Sequence, residues 1–96
     1  MLSQKDILNY LAQHKKEFQS KYNIEKIGLF GSYARNEAND ESDIDIFVTM
    51  PPKMFQLIAL KQQIEDDLKK SVDILREHKQ MKPLLLKMIH KDISYV

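Results

Sequence analysis

Three aspartates carry the chemistry of this sequence: Asp43 and Asp45, two residues apart, and Asp73 further along. The stretch Asp43-Ile44-Asp45-Ile46-Phe47-Val48-Thr49 opens with alternating charged and apolar side chains. Residues two apart on a strand point to the same face, with Cα atoms about 6 to 7 Å apart, so Asp43 and Asp45 aim at one point. Two like charges side by side on a sheet face repel, and Asp is disfavoured in strands, so the pair is locally unfavourable unless a cation sits between them. Ile44, Ile46 and Val48 take the opposite parity, anchor that face in the core and fix the register. A few hard oxygen ligands, completed by water and substrate phosphate, are how Mg²⁺ is usually bound to a nucleotide; Mn²⁺ is a plausible substitute. Asp73 sits in a separate apolar stretch, residues 71–75, where Val72 and Ile74 again take the opposite parity. Three acids across adjacent strands can hold two ions, or one ion and a general base that takes the proton of an attacking hydroxyl. We favour Asp73 for the second role.

Gly31-Ser32 lies where an apolar strand gives way to a helix. Glycine lets the backbone approach a ligand closely, and the free N–H groups of the following turn, with the Ser32 hydroxyl, suit phosphate oxygens. Ser32 can equally cap that helix. Ten residues separate Ser32 from Asp43, enough for a helical turn and a return loop that bring a phosphate site to a metal site. Arg35 can pair with Glu37 or Asp40, or touch phosphate. His14, His78 and His90 lie on ordinary segments and are assigned no role. Phe30, Phe47, Phe55 and Met88 are expected in the core.

The elements that must position these groups follow from pattern. Ser3 followed by Asp6 marks a helix start, and Ile7, Leu8, Leu11 and Phe18 recur at helical spacing, predicting a helix over 4–20. Tyr22-Asn23 breaks it. A strand is expected over 24–30, a short helix over 32–37, a polar loop over 36–42 and a second strand over 43–49, ended by Pro51-Pro52. A helix over 53–70, a strand over 72–75, a helix after Pro83 and a short strand over 93–96 complete the order. The expected fold class is α/β (α+β), a small mixed β-sheet backed by helices, as a single domain spanning residues 1–96.

Composition limits what the chain can do with this site. At 96 residues there is room for one core but not for a second substrate-binding domain. Fifteen basic and 14 acidic residues leave a formal charge of +1, which supplies no field toward nucleic acid or lipid, and no direct nucleic-acid contact is expected. The lack of cysteine removes thiolate ligands, disulfides and a thiol nucleophile, and fits a cytoplasmic protein. Polar residues Ser3, Gln4, Lys5, Asp6 and Asn9 interrupt any signal-peptide run, and no apolar stretch reaches membrane-spanning length.

Gly31-Ser32, ten residues, then Asp43-x-Asp45, within GSYARNEANDESDIDIFV, resembles the signature of the DNA polymerase β nucleotidyltransferase superfamily, and in this short form its minimal nucleotidyltransferase (MNT) group. Ala34-Arg35, Ser42 before the first Asp, and the later Asp73 also fall where that family has them. The resemblance covers nearly the whole chain. It implies that Asp43, Asp45 and Asp73 form the catalytic, metal-binding triad. It implies too that Gly31, Ser32, Arg35 and Ser42 belong to the nucleotide site, with ATP as substrate. Asn36 stands where relatives carry glycine, and since Asn tolerates the left-handed conformation the turn is expected to persist. The resemblance further implies an antitoxin that adenylylates a tyrosine of a partner HEPN toxin. Two alternatives are a non-catalytic nucleotide-binding antitoxin that occludes its partner, and transfer to a small molecule such as an aminoglycoside.

Overall fold

Ser3 and Asp6 nucleate the first element. The Ser3 hydroxyl accepts from the Asp6 N–H at 3.1 Å while the Asp6 carboxylate accepts from the Ser3 N–H at 3.0 Å, so two donors that a helix start would leave unpaired are satisfied reciprocally. Ser3→Ala is expected to lower stability by about 1 kcal/mol, read as a fall in melting temperature. In the computed structural model, which describes residues 2–96, helix α1 runs Gln4–Tyr22 and stops at Asn23, whose φ of 57° is left-handed.

Strand β1 (Lys26–Phe30) leads directly into the single-turn helix α2 (Gly31–Ala34). Asn36 follows with φ 60°, the left-handed turn expected of it. Strand β2 (Ile44–Thr49), helix α3 (Met54–Leu68), strand β3 (Val72–Arg76), helix α4 (Pro83–Asp92) and strand β4 (Ser94–Tyr95) complete the chain. The four strands form one mixed sheet in the order β3-β2-β1-β4. Strand β1 pairs antiparallel with β2 and β4, whereas β2 and β3 are parallel, joined by α3 as a crossover. The α/β class with a small helix-backed mixed sheet is as the sequence predicts.

The two sheet faces bury different residues. Ile27, Leu29, Ile44, Ile46, Val48 and Val72 pack against Ile7, Leu11 and Phe18 of α1 and Leu60 and Ile64 of α3. On the other face Phe47 packs with Met81 and with Ile89 of α4, and with the partly buried Phe30 and Leu75. Asp45 and Asp73 share the parity of Phe47 and Leu75, so they occupy this second face.

The expectation that Phe55 and Met88 are core is wrong: they are 88% and 62% exposed. Helix α3 turns Leu57, Leu60, Ile64 and Leu68 inward and α4 turns Leu86 and Ile89 inward, leaving Phe55 and Met88 on outward faces. Phe47, fully buried, and Phe30, partly buried, do pack in the core. Among the described residues no helix is long and apolar enough to cross a membrane.

Candidate active site

Asp45 is the centre of the site. It lies one residue inside β2, half-buried, and faces Asp73 of β3 across the parallel pairing and Phe30 of β1 across the antiparallel one. Asp43 falls just ahead of β2, which begins at Ile44 instead of at Asp43, and is exposed, as is Asp73. The Ile44 N–H donates to the Ser71 carbonyl at 3.0 Å, so the starts of β2 and β3 are pinned together immediately below the acids. Ile44, Ile46 and Val48 are fully buried on the opposite face, which stops β2 from slipping by one residue and carrying Asp45 into the core.

The electrostatics follow from this placement. Burial first, then the charges of Asp73 and Asp43, push the Asp45 carboxyl above its usual range, and Arg35 pulls it back only in part. The three acids therefore repel through Asp45, and a cation between them would remove that cost. Among the described residues no group of three or more His, Asp or Glu side chains is placed to hold a metal ion, so Asp43, Asp45 and Asp73 do not stand as a ready three-ligand site. The donor set instead fits Mg²⁺ held by one or two carboxylates with substrate phosphate and water supplying the other ligands.

Gly31 adopts φ +77°, and a Cβ on it would lie 2.1 Å from Oδ2 of Asp45. The sequence marks this glycine for close approach to a ligand; its nearest neighbour is in fact the carboxylate itself. Ser32 is partly buried in the first turn of α2 and is not the cap: that position falls to Phe30, which makes no side-chain capping bond. The opening N–H groups of this turn have no partner within the helix. Arg35 bonds Glu37 at 3.2 Å, one of the pairings expected, and Asp92 of α4 at 3.0 Å, one that was not; Asp40 is not its partner. Both bonds hold the guanidinium charged. The Ser42 hydroxyl accepts from the Asn39 N–H at 3.0 Å and so closes the loop that delivers Asp43. Lys70 grips the same loop through the Asp40 carbonyl. Sequence reading missed Asp92 and Lys70, and nothing in local pattern links either to a partner 57 or 30 residues away.

None of the three histidines enters the site. His14 stacks on Tyr10, His90 meets Phe47 edge-on, and His78 accepts from the Gln80 N–H.

Comparison with known proteins gives a consistent set. The family model "Polymerase beta, Nucleotidyltransferase" matches residues 12–94. Protein adenylyltransferase MntA of Thermococcus cleftensis is 34% identical over 98 residues, covering 100% of this chain and 98% of the relative. A solved structure of a candidate minimal nucleotidyltransferase superposes with a TM-score of 0.78 at 23% identity, covering 97% of this chain and 95% of the other. An MNT antitoxin solved in complex with a tri-AMPylated Shewanella oneidensis HEPN toxin superposes with a TM-score of 0.66 at 21% identity, covering 96% and 70%. At these identities the two structures establish the fold.

Proposed function

We propose that this chain, which belongs to the polymerase beta nucleotidyltransferase family, transfers AMP from MgATP to a tyrosine hydroxyl of a HEPN-type partner protein and thereby acts as its antitoxin. The observation that carries most weight is the register that sets Asp45 beside Asp73, with Asp43 two residues away and the charges of both felt at Asp45. Nucleotidyl transfer is the chemistry such a face suits, and the name of the relative, a protein adenylyltransferase, supports a protein acceptor.

Each residue then has a task. Asp43 and Asp45 would hold Mg²⁺, which supplies charge neutralisation at the transferring phosphoryl group. The Gly31 and Ser32 amides and the Ser32 hydroxyl bind the outgoing phosphates. Arg35, close enough to influence Asp45, adds positive charge on the same side. Asp73, exposed at the rim, takes the proton as the acceptor oxygen bonds to the α-phosphorus and the bond to pyrophosphate breaks. Ser42 acts indirectly, by fixing the loop ahead of Asp43.

The test is intact mass spectrometry of a HEPN-type partner after incubation with this chain and MgATP. One or more added AMP units that require both Asp43 and Asp45 would support the proposal. A partner that binds tightly yet gains no mass would sink it in favour of occlusion. Transfer is also expected to vanish in EDTA and to return on adding Mg²⁺ or Mn²⁺, followed by pyrophosphate release; activity that survives chelation would remove the metal from the proposal.

A further inference from the structure

Helix α4 carries an apolar stripe that the fold leaves uncovered. Leu84 and Met88, one turn apart, are 70% and 62% exposed, and Leu85 beside them is 41% exposed. Lys87 and Lys91, also one turn apart, flank the stripe, and the one acid of the helix, Asp92, is already bound to Arg35. The exposed face is thus apolar and net positive.

The stripe runs into a cleft of about 160 Å³ between α2 and α4, walled by Phe30, Leu85, Met88 and Ile89 and completed by Gly31 and the Arg35–Asp92 pair. Gly31 and Phe30 tie this cleft to the reaction centre. Gly31 lies directly against the Asp45 carboxylate, and Phe30 is the cross-strand partner of Asp45. A ligand seated in the cleft is therefore next to the acids.

We propose that the stripe and cleft are the docking site of the acceptor protein, through a segment of apolar and acidic side chains that delivers an aromatic hydroxyl to the Asp45 side of the cleft. This rests on the AMP-transfer reading above. Apolar walls with an ion pair in the lining suit a side chain with an apolar body and a polar tip. Met88 sulfur and the Phe30 ring are both favourable partners for an aromatic. The stripe continues to Leu84, outside the cleft, which a nucleotide base in the cleft would leave bare and a protein segment would cover. Lys87 and Lys91 select an acidic segment and repel a basic one. The hydroxyl oxygen delivered there bonds to the α-phosphorus of the nucleotide, its proton passes to Asp73, and pyrophosphate leaves.

The test measures docking apart from turnover. A fluorescently labelled peptide with one tyrosine flanked by leucine and glutamate is titrated with the full chain in the presence of Mg²⁺ and AMP-PNP, beside a matched peptide with lysine in place of glutamate. The acidic peptide should bind at least about tenfold more tightly than the basic one, and Lys87→Glu and Met88→Glu should each weaken it by about tenfold with AMP-PNP affinity unchanged. Failure of the acidic peptide to bind, equal binding of both peptides, or indifference to both substitutions would overturn the proposal. So would loss of AMP-PNP affinity in Met88→Glu, which would place the base in the cleft. Docking that behaves as expected, with no AMP on the tyrosine once ATP replaces the analogue, would uphold the docking site and sink the transfer reading.

Discussion

Asp45→Asn is expected to lower nucleotidyl transfer by roughly 10³-fold or more while leaving the metal-free protein at least as stable as wild type. The first half follows from removing one of the two charges proposed to face the metal, an interaction worth about 4 kcal/mol in a transition state that gathers negative charge. The second half follows from the pKa. Burial and the neighbouring charges of Asp73 and Asp43 raise Asp45, so the folded chain holds this proton more tightly than the unfolded chain. A group of that kind favours folding below the ordinary carboxylate value of 3.8 and loses that contribution as pH rises through the raised value. At neutral pH, therefore, ionised Asp45 opposes folding. Asn keeps the shape and an oxygen but not the charge, so in EDTA its melting temperature at pH 7 should exceed that of wild type by about a few degrees, with the gap closing below pH 3.8. Adding Mg²⁺ with AMP-PNP should narrow the gap, because ligand that binds only the folded state stabilises it by mass action. A neutral-pH melting temperature below wild type would mean that Asp45 serves the fold, and the case for a cation site would lose its main support.

That local cost was legible in the sequence because parity alone exposes it. Ile44, Ile46 and Val48 demand one face, and Asp43 and Asp45 must then share the other. The helix start at Ser3 and Asp6 was legible for the same reason, since it depends on a few neighbouring residues and their intrinsic preferences, whereas the left-handed Asn36 was expected only through the resemblance, in which relatives carry glycine at that place. What pattern could not supply is register between distant strands. Asp45 meets Asp73 because β2 and β3 run parallel across the α3 crossover, and a shift of two residues would have preserved every parity while separating the acids. Nor does periodicity say how wide a helix's buried face is. Phe55 and Met88 fit an apolar period yet point to solvent, since α3 and α4 each meet the sheet along one narrow stripe. The Arg35–Asp92 contact depends on where α4 lands, which the sequence around Arg35 cannot encode.

A single methyl group at position 31 is expected to reduce transfer about 10²-fold and stability by roughly 1–2 kcal/mol, through two separate causes. The backbone cause is the φ of +77°, which glycine adopts freely and an L side chain adopts only at that energetic cost. The side-chain cause is Asp45: the new Cβ would stand 2.1 Å from its Oδ2, 2.9 Å from its Cγ and 3.1 Å from its own Cβ, so the carboxylate must swing away. A displacement of about 1 Å at a reacting centre is enough for a hundredfold loss. Gly28→Ala is the control, because its Cβ would press on Ile93 and the Ser94 carbonyl at 2.9 to 3.0 Å, loosening β4 at the sheet edge without touching the acids. It should lose stability and retain transfer per folded molecule. For Gly31→Ala the Mg²⁺ concentration giving half-maximal transfer should rise, since the damage passes through a carboxylate proposed to face the metal. An unchanged Mg²⁺ requirement with weakened AMP-PNP binding would instead locate the damage at the phosphate-facing amides, and Gly31 would then serve the nucleotide before it serves Asp45.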